Sequence, residues 1–191
     1  EVSSVTGSIV NSLAEAETLT VPNAGAGRTG IYIEAIEKAC KQIDDRPVFA
    51  GAIGPFSLAG RLMDVSEAMI NCYTDPEMVH TVMKKAAAFI TAYIKAYKET
   101  GANGVVIAEP LTGLLSPDLA VVFSEPYVKR IVESVQDDEF IVVYHNCGNN
   151  IIQMADSILR TGAAAYHFGN AVSMKEMLAL IPKNTVVMGN V

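Results

Sequence analysis

Five short apolar runs punctuate the chain, and none of them alternates with polar residues. Pro47–Ile53 ends in Gly54-Pro55, and Gly104–Ala108 ends in Glu109-Pro110. Phe140–Tyr144 ends in His145-Asn146-Cys147-Gly148. Ala163–Phe168 ends in Gly169-Asn170, and Thr185–Met188 ends in Gly189-Asn190. Continuous apolar runs of this length suit strands buried on both faces of a parallel sheet. The segments between them carry helix signals. Asp75-Pro76-Glu77 opens a long helix, with proline pre-set for the first turn and acids at the positive end of the dipole. Its Met78, Val82, Phe89, Ile90, Tyr93, Ile94 and Tyr97 fall on one stripe, and Gly101 ends it. Ser116-Pro117-Asp118 predicts a short helix. Ser124-Glu125-Pro126 predicts another, to about Val135. A helix spans about Asn150 to Thr161 and stops at Gly162. Ser173 and Glu176 form a capping box for Met174–Leu180. Ile31–Gln42 is the helix before the first strand, and Ser12–Thr18 reads as a short one.

Strands separated by helices define an α/β class with a parallel sheet. No linker or low-complexity tract interrupts the pattern, so residues 1–191 read as one domain. Gly25-Ala26-Gly27-Arg28-Thr29-Gly30 spells G-x-G-x-x-G. It follows at best a short strand, and no acid follows at the spacing a dinucleotide site requires, so it reads as a plain loop. Polar residues instead gather just after each strand: Glu109, His145, Cys147, His167, Asn170 and Asn190. That clustering is expected at the C-terminal mouth of a (β/α)8 barrel. A whole barrel takes ~250 residues. Five strand–helix units in 191 residues therefore read as a partial barrel, with about five parallel strands and its ends missing.

Composition narrows the function. There are 14 basic and 21 acidic residues, for a formal net charge of −7. Such a chain repels phosphate, so nucleic acid and anionic membranes are excluded as partners. No apolar run reaches the ~18 to 20 residues that span a bilayer. Glu1-Val2-Ser3-Ser4 shows no export signal. Three cysteines, Cys40, Cys72 and Cys147, are too few for a disulfide scaffold and read as cytoplasmic thiols.

His145-Asn146-Cys147-Gly148 carries the sharpest chemistry. Residues i and i+2 on a strand face the same side, so the imidazole and the thiol both face the mouth. Zn²⁺ takes such donors, although a catalytic zinc takes about three protein ligands. The plain alternative is a small buried thiol beside a hydrogen-bonded histidine. Glu109 reads as a third ligand, a base, a substrate anchor or a solvated loop acid. His167 reads as a substrate contact or a structural histidine. In Gly51-Ala52-Ile53-Gly54-Pro55-Phe56-Ser57-Leu58-Ala59, the small residues let the chain pass over the mouth. Ser57 can cap the next helix and Phe56 can wall the pocket, although a structural turn explains the stretch equally well. His80 reads as a surface residue, Cys40 and Cys72 as packing, and the eight methionines as gap fillers.

Together these stretches resemble the uroporphyrinogen decarboxylase family. The landmarks are Gly54 to Ala59, Gly101-Ala102-Asn103-Gly104 with Glu109-Pro110, Leu115-Ser116-Pro117, Pro126 to Ile131, His145 to Asn149, and Gly189-Asn190. His145-Asn146-Cys147-Gly148-Asn149 resembles the branch of zinc-dependent methyltransferases acting on methylated corrinoid proteins. The resemblance implies His145 and Cys147 as zinc ligands, with a further cysteine as the third, beyond the Gly-Asn strand end and outside this chain. It implies a corrinoid protein as partner and a small thiol as methyl acceptor. Glu109 and His167 are then expected in pocket or exchangeable-ligand roles, and Gly54, Phe56 and Asn170 against substrate. A tetrapyrrole decarboxylase is the second reading; Arg28, Arg61 and Arg130 are its candidate basic residues. A non-catalytic corrinoid- or tetrapyrrole-binding barrel is the third. An open partial barrel exposes sheet edges, so self-association is also expected.

Overall fold

The computed structural model describes residues 7–189. Asn190 and the N-terminal Glu1-Val2-Ser3-Ser4 lie outside the described residues. The chain enters through α1 (Leu13–Thr18) and α2 (Thr29–Gln42), then forms β1 (Phe49–Ile53). Three helices follow: α3 (Pro55–Met63), α4 (Val65–Thr74) and α5 (Pro76–Glu99). Then come β2 (Gly104–Ala108), a 3-10 turn at Pro110–Leu114, α6 (Pro117–Phe123), α7 (Glu125–Val135) and β3 (Ile141–Asn146). A second 3-10 turn at Ile151–Met154 leads into α8 (Ala155–Arg160), β4 (Ala165–Phe168), α9 (Met174–Leu180) and β5 (Val186–Met188).

The strands lie in the order β1-β2-β3-β4-β5, and every pair is parallel. Each strand is therefore laid beside the one before it. Crossovers of one hand, always stepping in one direction, put their helices on one face of the sheet. This is the winding of a β/α barrel. A doubly wound sheet reverses direction at a switch point, and this sheet does not. The five strands thus form a partial barrel. The G-x-G-x-x-G stretch is a turn leading into α2, with no strand before it among the described residues.

Alternate positions along each strand divide the two faces. Ala50, Ala52, Val105, Ile107, Val142, Tyr144, Tyr166 and Phe168 are buried. The heart of the helix layer is α5, whose Met78, Val79, Val82, Met83, Ala86, Ile90, Tyr93, Ile94 and Tyr97 are buried along one stripe. Asp75 caps it by accepting from the Met78 N–H at 3.1 Å. Gly101, at φ +88°, makes the left-handed exit that the sequence marked. Two side-chain amides pin the strand starts. Asn103 Oδ1 accepts from the Val48 N–H at 2.9 Å. Gln136 Oε1 accepts from the N–H groups of Val142 and Ala164, at 3.0 and 2.9 Å.

Several local expectations change. The helix expected from Asn150 begins as a 3-10 turn, and neither Asn150 nor Met154 caps by its side chain. Ser124 does not cap α7 either; its hydroxyl is buried and accepts from Thr112 Oγ1 at 2.9 Å. The separate helix α4 was not expected. Asp64 ends α3 and starts α4 at φ 70°, a conformation that Asp tolerates better than most side chains. Its carboxylate accepts from the Ser66 N–H at 2.8 Å. The signal was present, since Asp64-Val65-Ser66-Glu67 has capping-box spacing.

Ile90 is 1 % exposed, whereas its neighbour Phe89 only packs against the core from outside. Ile90→Ala is expected to cost about 2–5 kcal/mol, and Phe89→Ala less despite its larger ring. Chemical-denaturation midpoints of the two variants test that order.

Candidate metal and substrate site at the sheet mouth

The parallel register aligns Ile53, Ala108, His145, His167 and Met188 in one row across all five strands. This row is the last on the face turned away from the helices. Beyond it the hydrogen bonding continues into the loops. The Gly54 N–H donates to the Ala108 carbonyl at 2.7 Å, and the Glu109 N–H to the His145 carbonyl at 2.8 Å. The Gly169 N–H donates to the Asn146 carbonyl at 3.1 Å. The loops after β1, β2 and β4 are thus each bonded to the end of a neighbouring strand.

His145 and His167 are side by side in that row, with ring centroids 4.6 Å apart at an interplanar angle of 37°. His145 Nδ1 lies 3.2 Å from the His167 carbonyl oxygen. A carbonyl only accepts, so Nδ1 carries the proton and Nε2 presents its lone pair. Burial, followed by the neighbouring His167, holds His145 below the usual imidazole pKa. A neutral imidazole tied at one nitrogen to a backbone carbonyl is how metal-binding histidines are commonly oriented. Cys147, one residue past β3, is an exposed free thiol. Its Cα lies so close to the next loop that a Cβ on Gly169 would fall 2.7 Å from it. The donor set at β3 therefore fits zinc in kind: one neutral imidazole and one accessible thiol. Among the described residues, no group of three or more His, Cys, Asp or Glu gathers closely enough to hold a metal.

Glu109 has a different setting from that of a solvated or mouth-facing acid. It is 0 % exposed. Its carboxylate accepts from the N–H groups of Phe56 and Ser57, at 2.9 and 2.6 Å, and from the Ser57 hydroxyl at 2.5 Å. Gly54, the N-cap residue of α3, has no side chain to do this. Glu109 therefore caps that helix from the loop after β2. Ser57 is not the cap; its hydroxyl bridges Glu109 and the Leu111 N–H, which donates to it at 3.1 Å. Phe56 is 1 % exposed and belongs to the core, not to a pocket wall. Gly54 is required by packing, because a Cβ there would lie 2.5 Å from Glu109 Cδ. Asn170 is exposed at the turn after β4.

Away from the mouth, His80 is half-buried rather than free on the surface. It stacks on Phe123 at 4.6 Å, with Nδ1 2.7 Å from the Tyr127 hydroxyl. Cys72 is buried and its thiol is pushed up to about 11 by desolvation, in keeping with packing; Cys40 is half-buried. Sequence reasoning missed the polar residues behind the mouth. Asn146 is 0 % exposed and Tyr144 is among the largest fully buried side chains. A lone asparagine between His145 and Cys147 gave no periodic signal, and a tyrosine in an apolar strand read as core.

A sequential parallel sheet with chemistry-bearing residues at its C-terminal edge is the architecture of β/α-barrel enzymes. Comparison with known proteins assigns the lineage. The family model for uroporphyrinogen decarboxylase (URO-D) matches residues 1–191, and the chain belongs to that family. The methylcobamide:CoM methyltransferase MtbA of Methanosarcina acetivorans is 29% identical over 191 residues, covering 95% of this chain and 54% of the relative. A uroporphyrinogen decarboxylase of Myxococcus xanthus is 30% identical over 189 residues, covering 95% and 53%. Among solved structures, a methyltransferase from Methanosarcina mazei superposes with a TM-score of 0.84 at 27% identity, over 98% of this chain and 56% of that one. The chain spans about half the length of the curated relatives it matches.

Burial pushes the Glu109 carboxyl up to about 7, against the opposing hydrogen bonds from Ser57 and Phe56. An unfolded glutamate titrates near ~4.3. The folded state therefore holds this proton more tightly. The stability it contributes is complete below the unfolded pKa and is lost as pH rises through about 7. Glu109→Gln is expected to remove that component. Thermal midpoints measured from pH 4.5 to 8 should fall more with rising pH in the parent than in the variant.

Proposed function

We propose that this protein transfers a methyl group from a methylated corrinoid, carried by a partner protein, to a small thiol such as coenzyme M or a related acceptor. The observation that carries the reading is the His145–Cys147 pair. One donor is an imidazole whose Nδ1 proton is taken by the His167 carbonyl, leaving Nε2 free; the other is an exposed thiol one residue past the same strand. The resemblance to methyltransferases over nearly the whole chain supports it.

His145 and Cys147 are assigned as two of the protein ligands to Zn²⁺. Zinc bound there would lower the pKa of an acceptor thiol and make its thiolate available at neutral pH. The third ligand falls outside residues 7–189 in this reading. His167, beside His145 on the inward face, is assigned to the acceptor or to an exchangeable ligand position. Glu109 acts at one remove, since its carboxylate holds the start of α3 and its N–H holds the end of β3. Gly54 and Phe56 serve that same cap, and Asn170 is assigned to the rim that meets substrate. The corrinoid partner approaches the strand-end row, and the loops hold the acceptor in line while limiting water. Free cysteines and the absence of any membrane-length apolar helix among the described residues suit a cytoplasmic setting.

Decarboxylation of a tetrapyrrole is the second reading, favoured by relatives of that name at comparable identity. Its candidate basic residues are dispersed: Arg28 precedes α2, Arg61 lies in the last turn of α3, and Arg130 is exposed on α7.

Zinc content by elemental analysis of the intact protein, purified under reducing conditions, separates the two. About one zinc per chain is expected for the three-ligand site of a catalytic zinc, with little in His145→Ala or Cys147→Ala. Zinc absent from the parent after reconstitution would bring the decarboxylase reading forward.

A further inference from the structure

We propose that Asn146 is the positioning residue of the metal pair, setting the direction of Cys147 through a side-chain turn anchored on buried Tyr144; this rests on the zinc reading above. The Cys147 thiol is exposed and has no hydrogen-bond partner among the described residues. No side-chain contact therefore aims it, and its backbone must. That backbone is held from both ends by one asparagine. Asn146 Oδ1 accepts from the Gly148 N–H at 3.0 Å, closing a turn over Cys147. The Gly148 N–H can only donate, so the amide is oriented with Nδ2 on the other side. There Nδ2 donates to the Tyr144 hydroxyl at 3.3 Å. The Asn146 carbonyl accepts from the Gly169 N–H at 3.1 Å.

The anchor is itself fixed. Tyr144 is fully buried, in the neighbourhood of Ser124 and Thr112, which are bonded to each other at 2.9 Å. The loop after β2 closes the remaining freedom. A Cβ on Gly113 would fall 2.5 Å from Gly148 Cα and 3.0 Å from Asn146 Oδ1, so backbone lies directly on the turn. Asn146 faces opposite to His145 on the strand and is buried, while Cys147 just beyond it is exposed. The buried residue between the two ligands thus sets the geometry of the exposed one. Outer-shell groups of this kind govern metal affinity, and their loss typically costs about 10–100-fold.

The test uses the intact protein and measures zinc affinity by competition with a chromophoric chelator. The thiolate absorption of the cobalt(II)-loaded form and the thermal midpoint are recorded alongside. Asn146→Ala is expected to bind zinc about 10–100-fold more weakly and to weaken the cobalt–thiolate band. Asn146→Asp should recover most of the affinity, because a carboxylate oxygen still accepts from Gly148 while the Tyr144 hydroxyl turns to donate. Tyr144→Phe, which keeps the core ring, should lose affinity in the same direction by a smaller factor. Parent-like affinity in Asn146→Ala, or in Tyr144→Phe should the alanine variant not fold, overturns the proposal. So do losses that follow the thermal midpoint with no rescue by Asp. A parent that binds no zinc overturns the zinc reading with it; a parent that binds zinc beside an equally tight Asn146→Ala variant overturns the role of Asn146 alone.

Discussion

The mouth of this sheet depends on one buried carboxylate. Glu109 joins the ends of three strands. Its side chain caps the helix that follows β1, its own backbone leaves β2, and its N–H is bonded to the last inward-facing residue of β3. Burying a carboxylate is costly unless its oxygens are satisfied. Here the donors are two N–H groups of a helix start, which would otherwise be orphaned in the core, and one hydroxyl. Each side of the contact offsets part of the other's penalty, and the raised Glu109 pKa is the part left over.

With that contact in place, the loops approach closely. Gly54 meets the Glu109 side chain, Gly113 meets the Gly148 backbone, and Gly169 meets Cys147, in each case without room for a Cβ. Successive loops are consequently laid against one another around the strand ends. The histidines of β3 and β4 are register partners, and the carbonyl of one orients the imidazole of the other. Precision at the rim is a property of the sheet and its glycine contacts, with exposed side chains added last.

That division suits a family in which one barrel supports different reactions. Relatives named as methyltransferases and as decarboxylases match nearly all of this chain at similar identity. What they share is the scaffold, and chemistry on such a scaffold is set by a few residues at the strand ends. In the methyl-transfer reading proposed above, the His145–Cys147 pair is what distinguishes this chain on that shared scaffold.

Much of the fold was legible along the chain because its signals are local. The five apolar runs, the proline and acid at the start of α5, and Gly101 at its end each reflect the conformational limits of the residues themselves. Sequential order and polar strand ends together pointed to a barrel, and the parallel register agrees. Local signals also located His145 and Cys147 at the end of one strand. Other assignments needed the third dimension. Glu109 looked like a solvated or reacting acid because its partners are more than fifty residues earlier in the chain. Phe56 looked like a pocket wall and Ser57 like the helix cap because no sequence pattern shows that a distant carboxylate caps their helix. Asn146 was silent because one asparagine in an apolar strand carries no periodic signal, and its burial against the loop of Gly113 appears only in the fold. Backbone preference and apolar period act over one or two turns, so the sequence by itself determined the elements and their order. Burial, tautomer and hydrogen-bond partner depend on contacts between distant segments, and the tertiary structure alone decided them.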